Sequence, residues 1–169
     1  MSDVSLDDID RAILRELQTD GRISNLDLSR RIDLSPPATH ARVRRLERAG
    51  LIRGYVEIVD RESAGFELLC FVSVEMQVHQ YQGIETFRSH IRAMPEVLEC
   101  HHLTGEYDYL LKVALRNRRD LERFVVEKLT PIPGIARIHT SLVLSEVKAT
   151  TALPIEPLEP TRPNRSTDR

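Results

Sequence analysis

The chain is poor in cysteine, has no tryptophan and contains no long apolar run, and each absence removes a class of protein. Cys70 and Cys100 are too few and too far apart for a disulfide framework or a zinc-ligand pair. Both sit in apolar, strand-like stretches and read as buried reduced thiols. No segment approaches the ~20 apolar residues of a membrane span, and no apolar run follows the start as in a secretory signal. A soluble cytoplasmic protein without membrane partners is therefore expected. There is no nucleophile elbow, no glycine-rich phosphate loop and no zincin pattern, so neither a catalytic role nor a cofactor is expected. The formal net charge of −2 says nothing about nucleic acid; only the local distribution of charge does.

That distribution is uneven. From Ile23 to Tyr55 two short helical patterns lie back to back. Ser24 is an N-cap with Asp27 three residues on, and Leu28 and Ile32 form an apolar stripe. Asp33-Leu34-Ser35 breaks the pattern, and Ser35-Pro36 starts a second helix, with Ser35 expected to cap it. Gly50 ends that helix, since glycine suits a left-handed cap. At ~100° per residue, Thr39, Val43 and Leu46 share the side that packs inward. Pro37, Ala41, Arg44, Arg45 and Arg48 share the opposite side, flanked by Ala38, His40 and Arg42. Between Pro36 and Arg53 the arginines at 42, 44, 45, 48 and 53 oppose only Glu47. A helix start with small residues and a basic remainder suits a major groove, where the positive N-terminal dipole and arginines meet phosphates and base edges. The pattern is a helix-turn-helix that binds double-stranded DNA, with Ser35 and Pro36 at its leading end.

Leu6, Ile9, Ile13, Leu14 and Leu17 form an earlier helix stripe, with Asp7, Asp8 and Asp10 at its dipole-favoured start. This helix braces the other two in a domain over residues 1–50. Leu51 to Asp60 alternates loosely and reads as a strand, making 51–65 a strand linker. Residues 66–149 then show strand, helix, strand twice over. Strands are expected over Leu68–Val78, from Val97 to about Leu103, over Tyr107–Leu115 and over Ile135–Val147, with helices over Gly83–Ala93 and Arg118–Leu129. The fold class is therefore α+β: an N-terminal, winged-helix-like helix-turn-helix domain and a C-terminal ferredoxin-like βαββαβ sandwich. Helices should cover one sheet face. The other, read as apolar through Val72, Val74, Leu110 and Val143, calls for a second copy of the chain. From Thr150 to residue 169, prolines at 154, 157, 160 and 163 suggest a disordered tail.

The second informative cluster is Thr104-Gly105-Glu106-Tyr107-Asp108. Gly105 permits a turn whose N–H groups can form an anion nest, while Glu106 and Asp108 can receive an ammonium group. From spacing alone the cluster reads first as an acidic hairpin turn, and second as a site for a free amino acid. His101 and His102 beside Cys100, with His79 and His90 elsewhere, lack a second Cys–His pair at metal spacing, so no metal site is expected. On a strand Cys100 and His102 share a face that His101 does not.

Three stretches together resemble the Lrp/AsnC (feast/famine) transcriptional regulators. They are Leu34-Ser35-Pro36 with Arg42-Val43-Arg44-Arg45-Leu46-Glu47 and Gly50 to Tyr55; Leu103 to Leu111; and Ser141 to Lys148. The likeness runs over about residues 6 to 150 in the family's order. It implies a dimer and a ring of dimers, with a small-molecule effector, an amino acid or close metabolite, bound between subunits. It assigns that effector to the 104–108 loop through Gly105, Glu106, Tyr107 and Asp108, alongside Thr104, with Thr140 and Ser141 as candidates from the last strand. The competing readings are a metal- or thiol-responsive repressor of similar architecture, and a small-molecule-binding module with incidental DNA contacts.

Overall fold

Asp7 caps the first helix, α1 (Asp8–Thr19), in a reciprocal box: its carboxylate accepts from Asp10 N–H at 2.8 Å, and Asp10 accepts from Asp7 N–H at 3.2 Å. Ser24 caps α2 (Asn25–Arg31) through Asp27 N–H at 3.0 Å. The turn to α3 (Pro36–Arg48) passes through Asp33 at φ 52°, and Leu34 N–H closes it on Ser29 C=O. Asn25 Nδ2 donates to Pro36 C=O at 2.9 Å and ties the start of α2 to that of α3. Ser35 stands at the cap position of α3 but its hydroxyl makes no capping bond. The first two helical residues are prolines, which have no N–H to cap. Gly50, at φ 73°, ends the helix in the left-handed region.

The computed structural model describes residues 5–77 and 81–157, in two compact units. One holds the described residues up to Glu57 and from Ala149; the other is Ile58–Lys148. The first unit's core is Ile13, Leu14, Leu28 and Leu46, fringed by Leu6, Ile9, Ile23, Val43 and Ile52. Ile155 also packs against this core. Gln18 clasps Leu153 through both amide groups (Nε2 to C=O 3.1 Å, N–H to Oε1 2.6 Å), and Arg11 and Arg15 donate to Glu156 and Ile155 C=O. As far as residue 157, then, the segment expected to be a disordered tail lies along α1, where Ile155 packs against the core and Leu153 is held through its backbone. Residues 158–169 of that tail lie outside the described residues.

The second unit is a four-stranded antiparallel sheet in the order β2-β3-β1-β4, with β1 (Leu68–Met76), β2 (Val97–His102), β3 (Tyr109–Leu115) and β4 (Ile135–Leu142). This is the ferredoxin-like order. Helix α4 (Tyr81–Arg92) and helix α5 (Arg118–Arg123), which runs on as a π-helical stretch Phe124–Leu129, supply the helical layer. The wider π turn brings residues five apart towards one face, so Phe124 and Leu129 are both buried. The core joins Cys70, Val72, Val74, Tyr109, Leu111 and Val113 of the sheet to Phe87, Ile91, Phe124 and Leu129.

Four expectations change. Val72 and Val74 are fully buried in that core, not on the open face. By strand parity the open face carries Phe71, Ser73, Glu75, Leu110, Lys112, Arg137, His139 and Ser141, a mixed surface. Residues 51–60 are not a strand: they join no ladder among the described residues, and an extended segment needs a neighbour for its N–H and C=O groups. The last strand stops at Leu142, leaving Leu144 and Val147 exposed, and Val78, expected to end β1, lies outside the described residues. Cys100 is exposed, because β2 is an edge strand, whereas Cys70 is buried.

Candidate DNA-binding and effector surfaces

Thr39 and Leu46 anchor α3 inward, both fully buried. Ser35, Pro36, Pro37, His40, Ala41, Arg44 and Arg48 are exposed, and Ala38 and Arg42 are half-buried. The arginines divide into two pairs. Arg42 donates to Asp7 at 2.6 Å and to Asp10 at 3.0 Å, and Arg45 Nη2 also bonds the Asp10 carboxylate, which is fully buried. The backbone N–H of Asp10 is the first cause that holds the Asp7 carboxyl below its usual range; burial opposes it and Arg42 adds to it. Arg42 and Arg45, expected on the DNA-facing side or its flank, thus clasp α3 to α1. Among the described residues Arg44 meets only Glu47, at 3.6 Å across one exposed turn, and Tyr55 shares that glutamate through its hydroxyl at 3.2 Å. An exposed pair of this kind is worth only a few tenths of a kcal/mol, so Arg44 is available to a phosphate. Nothing local in the sequence marks the clasp: its partners are 32 and 35 residues apart. The acidic first turn of α1 is the one signal, and the helix dipole accounts for it equally well.

The 104–108 turn sits at one end of the sheet. Gly105 has φ 137°, and a Cβ there would meet nothing within 4 Å, so the backbone faces open space. Asp108 braces the sheet: its carboxylate accepts from Met76 N–H at 2.7 Å, beside the β1 irregularity at Glu75/Met76, and its own N–H donates to Val74 C=O at 3.0 Å. Glu106 pairs with Arg137 at 3.0 Å. Arg137 also pairs with Glu75 at 2.9 Å and lies 5.2 Å over the Tyr107 ring, which stacks on His139 at 6.2 Å. Glu75 is the first cause that raises the Arg137 pKa further, with Tyr107 next. The two acids read as ammonium acceptors therefore already have protein partners. Thr104 is exposed at the turn, and Ser141 shares the open face with Arg137 and His139, whereas Thr140 points to the helix side. Sequence reasoning misses Arg137 and His139. Their two-residue spacing from Ser141 along one strand is the signal that finds them.

Among the described residues no three of His, Cys, Asp and Glu gather to hold a metal ion. His101 pairs with Glu99 at 2.9 Å, and His102 stacks on Tyr109 at 4.9 Å. No helix among them is long and apolar enough to cross a membrane.

Two family models match the chain. The Lrp/AsnC ligand binding domain covers residues 69–153, and the winged helix-turn-helix DNA-binding model covers residues 6–53. The transcriptional regulator AzlB of Bacillus subtilis is 38% identical over 153 residues, 90% of this chain and 98% of that protein. The leucine-responsive regulatory protein of Escherichia coli is 40% identical over 151 residues, 89% of this chain and 92% of that one. Among solved structures, a Neisseria meningitidis transcriptional regulator in complex with L-Met superposes with a TM-score of 0.85 at 38% identity, covering 89% of this chain and 97% of that one. Escherichia coli AsnC superposes with a TM-score of 0.80 at 26% identity, covering 88% and 98%. With both matched segments in order along one chain, this protein belongs to the Lrp/AsnC family of DNA-binding transcriptional regulators.

Proposed function

We propose that the exposed edge of α3 enters the major groove, and that the 104–108 turn with the open sheet face beside it binds an amino-acid effector that tunes DNA binding. Ser35, Pro36, Pro37, Ala38, His40 and Ala41 form the approach, and Arg44 and Arg48 carry the phosphate or base contacts. Arg42 and Arg45 hold the helix at its angle. The observation that carries the DNA assignment is the division of the arginines by Asp10: Arg42 and Arg45 are paired with its buried carboxylate, and Arg44 and Arg48 stay exposed without such a partner among the described residues.

For the effector, open space at Gly105 lets a ligand carboxylate approach the turn's N–H groups and Arg137, while Glu106 is at hand for an ammonium group. Thr104, Tyr107, Asp108, Thr140 and Ser141 complete or support that site. The L-Met complex of the Neisseria relative supports an amino acid as the ligand class. The regulator works in the cytoplasm as a dimer and a ring of dimers. The exposure of Val56, Ile58, Leu144 and Val147 supports a second copy as their cover.

The test is calorimetric titration of the common amino acids into wild type, Gly105→Val and Arg137→Gln, beside DNA binding with and without ligand. Asp108 is left intact because it braces the sheet. Both variants should lose effector affinity by about 2 kcal/mol or more while retaining DNA binding. Unchanged affinity in both would move the site elsewhere, and joint loss of effector and DNA binding would return the turn to a purely structural role.

A further inference from the structure

At the other end of the sheet from the 104–108 turn, where β3 ends and β1 and β2 begin, lies a cavity of about 330 Å³. That is within the size of small-molecule sites. Half-buried Phe66 and exposed Pro95 form its accessible apolar walls, over a floor of buried Phe124. Five charged residues lie on the lining: Glu96, Arg116, Asp120, Arg123 and Lys128. Four of them already have partners. Lys128 pairs with one carboxylate oxygen of Glu96, and the other, Oε2, is buried out of a ligand's reach. Arg123 lies 3.9 Å from Asp120 and 3.8 Å from Glu127. Arg116 is the exception. It is exposed, makes no ion pair among the described residues and leans over the Phe66 ring at 5.7 Å, a weak contact where water is present. The mouth is positive as well: Arg118 and Arg119, at the start of α5, are exposed and make no ion pair among the described residues, against Glu122 on the same turn. Glu67, exposed beside Phe66, lies off the lining. The cavity thus presents apolar walls, two closed acid–base groups and one open guanidinium.

We propose that this cavity binds an apolar monocarboxylate, a small acid with an aromatic or branched hydrocarbon body and no ammonium group. Its carboxylate takes the paired N–H donors that the planar guanidinium of Arg116 offers. Its body lies against Phe66 and Pro95, where it removes apolar surface from water. The same lining refuses other classes. An amine meets Arg116 with like charge. An α-amino acid brings an ammonium group for which no acceptor is open, since Glu96 is closed by Lys128 and by burial, and Asp120 is held towards Arg123. That group would lose water without a replacement. The ligand class therefore differs from that of the 104–108 turn, and the assignment does not depend on the turn.

The full chain is titrated by calorimetry with 3-phenylpropanoate and 4-methylpentanoate, which are L-phenylalanine and L-leucine without the ammonium group, and with 2-phenylethylamine. At least one of the acids should bind, and the amine should bind at least about tenfold more weakly. Arg116→Gln should weaken the acids by about tenfold or more. Gly105→Val, at the opposite end of the sheet, should leave them as in wild type. L-phenylalanine is the control for ligand class: any binding it shows should be indifferent to Arg116→Gln. Absence of binding by both acids, an amine as tight as the acids, or acid binding unmoved by Arg116→Gln would each overturn the proposal. Parallel loss of the acids and L-phenylalanine in that variant would overturn it too, because the cavity would then accept the zwitterion.

Discussion

The two units are stabilised by different means. The buried polar residues among those described, Asp10, Ser29 and Thr39, all belong to the DNA-binding unit, whereas the core of the sheet unit is apolar throughout. Three short helices enclose too little apolar surface to hold one another firmly. They are therefore keyed by polar contacts: Asp10 to two arginines, Ser29 to Leu26 C=O at 2.7 Å, Thr39 to Ser35 C=O at 3.1 Å, with the 153–156 segment laid along α1. In the sheet unit both helices cover one continuous apolar face, and its polar ties, Asp108 to Met76 N–H and Glu96 to Lys128, lie outside that buried core. The lesson is that the unit which meets DNA depends on charge and on a segment from beyond the sheet unit, while the unit that senses depends on packing.

The strongest way to break this contrast is Asp10→Ala. Two arginines would lose their shared buried partner, at a cost of about 2 kcal/mol, since Arg42 keeps Asp7 and Arg45 can still reach water. Denaturant unfolding should show the DNA-binding unit melting early and the sheet unit unmoved. Loss of both together would mean that the units are not independently stabilised.

Truncation after Lys148 should act in the same direction more weakly. Removing half-buried Ile155 and the Gln18 clasp should lower the DNA-binding unit's stability by about 1–2 kcal/mol. An unchanged first transition would show that the segment adds nothing.

Much of this is legible in the sequence, and what is not has a common cause. The helix ends at Ser24, Pro36 and Gly50 follow from local chemistry, and so do the alternation of β1 and the Gly105 turn. Interactions between residues far apart are a different matter. Asp10 with Arg42 and Arg45 depends on how α1 crosses α3, which no periodicity encodes. A strand at 51–60 is a fair reading of the alternation, but a strand also needs a neighbour, and none lies beside it among the described residues. In the tail, the regular prolines draw attention away from Ile155, which is the residue that packs. Arg137 and His139 join the turn only through sheet register. The open face cannot be assigned from the strands alone, because Val72 and Val74 carry no label for which side the helices will take.

Acid should sharpen the contrast by a smaller step. The folded Asp7 carboxyl lies below its ordinary 3.8, so its contribution is complete above that value and is lost as pH falls through the folded pKa. Urea midpoints of the first transition should fall as pH drops below about 4, and Asp7→Asn should flatten that part of the curve. A curve of the same steepness in Asp7→Asn would remove Asp7 from the account.

The most direct test is the salt dependence of DNA affinity, since the central claim is that Asp10 sorts the α3 arginines into two that hold the unit and two that meet DNA. Anisotropy of a labelled duplex titrated at several salt concentrations, on wild type and on Arg44→Ala with Arg48→Ala, reads it. The double variant should lower the slope of log affinity against log salt by about 0.9 for each phosphate that is no longer neutralised, with the unfolding curve unchanged. Wild-type affinity and slope in that variant would contradict the claim.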